Sequence, residues 1–155
     1  MLNEKTTGLE LLSGLELMQA MVTGDFPHPS MSEVVPMKIT VAEYGKVIFE
    51  AMADERHLNP LGGVHGGFFA TVMDLVTGCA VHTTLEPNVG YGTIDLHVKM
   101  LKAIPQNILL IAESRVIQSG YSLGISEGSL KDKQGNLLPD NERMTSFGTF
   151  VRSTS

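Results

Sequence analysis

With 155 residues, 43% of them apolar, the chain is long enough to bury a core, and its single cysteine excludes an internal disulfide. Seventeen acids against eleven lysines and arginines give a formal charge of −6 with no basic stripe, which argues against nucleic acid or an anionic bilayer as partner. No apolar run approaches the roughly 18 residues that span a bilayer, and no basic-then-apolar leader opens the chain; a soluble, cytoplasmic, single-domain protein over residues 1–155 is expected.

In chain order, residues 7–22 predict an amphipathic helix: Thr7 with Glu10 reads as a capping box, and Leu11, Leu12, Leu15, Met18 and Val22 recur at helical spacing, with Gly24 as the stop. Pro27, Pro29 and Ser30 make 25–32 a connector, so residues 1–33 form an N-terminal helix and its link. Two strands, 34–41 and 46–53, flank a turn at Glu43–Gly45 and predict a hairpin. A glycine-rich turn at 59–67 leads into a long helix over 66–84 that is apolar all round, and so buried. After a loop at 86–92, strand 93–104 alternates, with Ile94, Leu96, Val98 and Met100 on one face and Thr93, Asp95, His97 and Lys99 on the other. Strands at 108–119, 121–131 and 145–152 complete the chain. About six strands joined mostly by short turns, with one long buried helix, predict an α+β fold in which an antiparallel sheet curls around that helix.

The most informative residue is Asp74, a carboxylate in the middle of the apolar helix. Such a group needs a hydrogen bond, a partner or a cavity to offset several kcal/mol of desolvation. Two readings stand: a structural role, capping a neighbouring backbone or bonding across a subunit interface, or a general base or nucleophile facing a cleft. The other chemical feature is the helix start at Gly66, where free N–H groups and the positive dipole end favour an oxyanion. Gly66 and Asp74 are eight residues apart, about 12 Å along a helix axis, so one reacting group cannot touch both. If both act on one carbonyl, the acid belongs to another copy of the chain, and a homodimer with two equivalent sites follows.

Other chemistries lack residues. The glycines are not followed by Gly-Lys-Ser/Thr, so there is no P-loop, and there is no Gly-x-Ser-x-Gly elbow for a serine hydrolase. His65 and His57 want a third and fourth donor, with Cys79 and His82 lying well inside or beyond the helix, so no metal is expected. Cys79 reads as a buried, inert thiol, His82 as a helix-end residue and His97 as a solvated strand residue.

The order Asn59, His65-Gly66-Gly67, Asp74, then Gly92-Thr93-Ile94-Asp95-Leu96 resembles the hotdog-fold acyl-CoA thioesterases, specifically the phenylacetate-pathway (PaaI-like) group, over roughly residues 34–131. The resemblance implies a hotdog fold and hydrolysis of an acyl-CoA thioester by a homo-oligomer, a dimer or dimer of dimers, with coenzyme A as part of the substrate and no cofactor. It implies that Asp74 is the catalytic acid, as nucleophile or as general base, and that the Gly66 N–H polarises the thioester carbonyl. Asn59 and His65 match residues that order the site or leaving group, and Thr93 matches a Ser/Thr position on the opposing subunit that helps hold water. The chain departs from the pattern at His97, a position often held by Asn, and in the long polar segment 137–150. A non-catalytic acyl-CoA-binding module is the alternative from another class; a hydratase would need a histidine placed with a carboxylate for proton transfer at carbon, which His65 and Asp74 do not supply. Lys99, Lys102 and Arg115 are the candidates for holding coenzyme A phosphates.

Overall fold

A computed structural model describes residue 8, residues 11–133 and residues 144–154. Helix α1 (Gly14–Thr23) is shorter than its periodicity predicts. Its capping box is Ser13 with Glu16: the Ser13 hydroxyl accepts the Glu16 N–H at 3.2 Å and the Glu16 carboxylate accepts the Ser13 N–H at 2.8 Å. The expected box, Thr7 with Glu10, lies outside the described residues, and Leu11, expected on the buried face, stands 80% exposed before the helix begins. Gly24, at φ 84°, ends the helix as predicted.

The connector contains one helical turn, α2 (Met31–Val34), so the first strand opens later than expected. Strands β1 (Met37–Glu43) and β2 (Lys46–Ala51) form the predicted hairpin, followed by a 3-10 turn at Glu55–His57 and the long helix α3 (Gly66–His82). Strands β3 (Val89–Lys99), β4 (Leu110–Ser119), β5 (Leu123–Asp132) and β6 (Met144–Thr154) complete one antiparallel sheet in the order β1-β2-β4-β5-β6-β3. No described helix is long and apolar enough to cross a bilayer.

The core fills the space between the sheet and α3. Val47, Phe49, Leu110, Ala112, Leu130 and Phe150 point at Phe69, Val72, Met73 and Val76 of the helix, and all are essentially buried. On β5 the residues beneath the helix are small: a Cβ on Gly124 would lie 2.8 Å from Val81 and one on Gly128 2.6 Å from Met73, while Ser126 donates to the Thr77 carbonyl at 2.9 Å. The opposite face of the sheet is charged, with Lys38–Glu50, Lys46–Glu113 and Arg115–Glu127 paired at 3.7, 3.4 and 2.8 Å.

Two expectations are corrected. Helix α3 is not buried all round; Ala70, Thr71, Asp74 and Leu75 form a half-buried stripe, because β3 is the last strand of the sheet and none of the described residues beyond it covers that side. Strand β3 runs Val89–Lys99 rather than over 93–104, and its alternation is broken. Thr93 opposes Phe150, Asp95 opposes Thr149 and Leu96 opposes Gly148, so Ile94 is an extra residue, a β-bulge. Phe150 is fully buried, and a Cβ on Gly148 would reach within 3.0 Å of the Thr77 hydroxyl, which places both on the helix side. Directly opposed residues share a face. Thr93 therefore faces α3 together with Leu96, while Asp95 and His97 face the other way, and Ile94 stands 59% exposed.

Candidate active site

The turn before α3 is built by its own polar groups. Asn59 Oδ1 accepts the N–H groups of Leu61 at 2.9 Å and Gly63 at 3.2 Å, and the Asn59 N–H donates to the Gly63 carbonyl at 2.7 Å. Gly62, at φ 83°, supplies the left-handed residue this tight loop needs. His57 anchors the next layer. Its Nδ1 accepts the Asp54 N–H at 3.0 Å and its Nε2 donates to the Val34 carbonyl at 2.6 Å, which fixes the neutral tautomer, and its carbonyl receives the His65 N–H at 2.7 Å.

His65 is the N-cap of α3, with Nδ1 accepting the Gly67 N–H at 2.8 Å. The Phe68 N–H returns to the His65 carbonyl at 3.0 Å. The Gly66 N–H has no acceptor among the described residues, so the cap leaves one donor of the first turn unused at the positive end of a helix seventeen residues long. The Met100 thioether closes over Gly66: a Cβ there would lie 3.0 Å from its sulfur.

Asp74 lies two turns further along α3, half-exposed at the open edge of the sheet. The hydroxyl of Thr93 donates to its Oδ1 at 2.9 Å, a bond made possible by the bulge at Ile94. One carboxylate oxygen is thereby oriented while Oδ2 has no partner among the described residues. Below this pair, Tyr91 leans against Gly78, one turn on from Asp74; a Cβ at Gly78 would lie 2.8 Å from both the ring and its hydroxyl. The Tyr91 hydroxyl lies beside the Cys79 thiol, and each acts on the other's proton. Burial, reinforced by the Asp74 charge, pushes that thiol up to about 12 against the weaker opposing pull of the neighbouring Tyr91. Burial first, then the neighbouring Cys79 and Asp74, holds the Tyr91 phenol well above its ordinary range.

The five residues singled out in the sequence thus fall into two groups within one chain. Asn59, His65 and Gly66 form the helix start, and Asp74 with Thr93 forms a separate pair about 12 Å along the axis from Gly66. Sequence reasoning missed Tyr91 and Met100. A glycine at 78 inside a helix, where it costs about 0.5–1 kcal/mol against alanine, was the available sign of a close neighbour. Among the described residues no cluster of histidine, cysteine or acidic groups could hold a metal ion.

Residues 61–138, half of the chain, match the family model of the thioesterase superfamily. The chain belongs to that superfamily. Among its relatives are human acyl-coenzyme A thioesterase 13, 27% identical over 72% of this chain and 81% of the human protein, and a Caenorhabditis elegans protein named as an esterase, 27% identical over 65% of this chain. The match spans 57% of the worm protein's length. Among solved structures, a thioesterase of Ralstonia eutropha JMP134 described as phenylacetic acid degradation-related superposes with a TM-score of 0.72 at 23% identity, over 88% of this chain and 99% of that one. The fold is therefore the hotdog fold that the sequence motif implied, and the superfamily is one of thioester hydrolases.

Proposed function

We propose that the chain is an acyl-CoA thioesterase in which Asp74 of one subunit and the Gly66 N–H of a second act on the same thioester carbonyl. The observation that carries this reading is the pairing of an unused helix-start donor with a half-exposed carboxylate whose only described side-chain partner is a hydroxyl. Thr93 occupies Oδ1, and Oδ2 attacks the carbonyl carbon or takes the proton of a water that does. Negative charge then develops on the carbonyl oxygen, where a preorganised N–H donor is worth about 2.7–4 kcal/mol. The C–S bond breaks and coenzyme A leaves as a thiolate. Where water was the nucleophile, the free acid is formed at once and the proton held by Asp74 passes to the thiolate; where Oδ2 attacked, a water then hydrolyses the Asp74–acyl anhydride to the free acid and supplies that proton.

The two-subunit arrangement is supported by the fold. Asp74 bonds Thr93 and Gly66 lies under Met100, so α3 and β3 run antiparallel along one seam. Placing Gly66 of a partner subunit opposite Asp74 puts a two-fold axis at the midpoint, Ala70, on the half-buried stripe. The same operation pairs the open edge of β3 with its copy near Leu96–His97, so helix and strand share one axis. An eleven-residue unpaired edge carrying an exposed Ile94 is otherwise an invitation to uncontrolled strand addition. Of the phosphate candidates, Arg115 is bound to Glu127 on the charged outer face, and Lys99 extends from the end of the edge strand.

The test is release of free thiol from a panel of acyl-CoAs by the wild type, Asp74→Asn and Thr93→Ala. Asp74→Asn is expected to abolish turnover with the oligomer intact. Thr93→Ala should lower kcat about tenfold to a hundredfold, the loss of one hydrogen bond to a charged group. Turnover unchanged in Asp74→Asn would sink the assignment.

A further inference from the structure

The seam between α3 and β3 continues past Asp74, away from the axis at Ala70, and it is not empty there. Tyr91 stands two residues before Thr93 on the helix side of β3, and its ring occupies the space that Gly78 leaves by lacking a side chain. It is held by its neighbours on the helix side. The ring meets His82 edge-on at 5.3 Å and Phe150 edge-on at 5.6 Å, and its hydroxyl sits over the backbone of Gly78. A thioester whose carbonyl sits at Asp74 has two arms. The pantetheine arm is long and polar and has to lead to solvent, while an acyl arm gains by entering apolar surroundings. The seam toward the axis leads into the second, symmetry-related centre, so the apolar wall left to the acyl arm is the one built from Gly78, Tyr91 and Phe150.

We propose that Tyr91, seated on Gly78, is the specificity-determining stop of the acyl site and restricts the enzyme to short or compact acyl groups. This rests on the thioesterase reading above. The ring sets length because it is seated: Gly78 leaves it the space behind, and His82 and Phe150 pack against its edges. Removing the ring opens room for several methylenes, and each one accommodated is worth about fourfold in binding.

The experiment measures kcat and KM for acetyl-, butyryl-, octanoyl- and palmitoyl-CoA with the wild type, Tyr91→Ala, Tyr91→Leu and Tyr91→Phe, with Asp74→Asn as the control for background. The wild type is expected to favour the shorter substrates. Tyr91→Ala and Tyr91→Leu should raise the octanoyl-to-butyryl ratio of kcat/KM by about tenfold or more, chiefly through KM. Tyr91→Phe keeps the ring and should keep the preference. Two truncations guard against one that does not fold, and the phenylalanine variant separates the ring from its hydroxyl. If truncated variants lose activity in parallel on all substrates, or the ratio stays put, Tyr91 is only a structural residue and the proposal is overturned. If the wild type shows no turnover that Asp74→Asn removes, the thioesterase reading itself falls and this proposal with it.

Discussion

The Cys79 thiol illustrates how a residue with no role in the reaction still records its surroundings. It is 7% exposed, and burial raises it from the ordinary 9.0 to about 12. The folded state therefore holds this proton more tightly than the unfolded chain does. Its contribution to stability is complete below pH 9 and is lost as pH rises from there toward about 12. Tyr91, also raised by burial, adds to the same trend. Urea midpoints are expected to fall between about pH 8 and about pH 10.5, and to fall less in Cys79→Ala; equal slopes in the two proteins would show that another group carries the alkaline loss. At this scale the sequence was partly legible. Asp74 stood out because a carboxylate among apolar residues must be compensated, and the inertness of Cys79 followed from its neighbours. What could not be read was the compensating group, since the face of Thr93 depends on a bulge and a bulge leaves no mark in the alternation of side chains.

Among elements, the end of α3 and the start of α1 are joined by a backbone contact. Gly14 donates its N–H to the Leu85 carbonyl at 3.0 Å, and a Cβ on Gly14 would overlap the His82 carbonyl. The obstacle is backbone, which cannot rotate away, so Gly14→Ala is expected to cost about 1–3 kcal/mol in a urea titration, the usual range for overpacking. A cost near zero would mean that α1 shifts without consequence. Helix α3, β2, β4, β5 and β6 were legible because their apolar periods are long, whereas β1 was expected three residues early and β3 several residues late at both ends. The true start of α1 was not, because the stretch before Ser13 has the same apolar spacing as a helix and only the reciprocal bonds of Ser13 and Glu16 decide where the first turn forms. The expectation that α3 is buried on every side failed for a reason at this scale: an apolar stripe looks the same in sequence whether a strand of the chain or a second subunit is meant to cover it.

For the whole molecule, the open edge at β3 and the stripe on α3 converge on the proposed two-fold. Ala70 is half-buried in the single chain, so Ala70→Arg should fold normally by circular dichroism, yet the long charged side chain would stand on the axis. Sedimentation is expected to show the mass of a single chain, and thiol release should fall with it; an unchanged mass would remove the axis from Ala70. The strand order has a last consequence. In the sheet, β3 touches no strand except β6, and β6 begins only at Met144. While the ribosome is still adding the residues between, β3 has no strand to pair with, and only its packing on α3 holds Thr93 beside Asp74. A product truncated before β6 would carry the helix and its carboxylate, but the edge strand that holds Thr93 would have lost its one paired neighbour among the described residues.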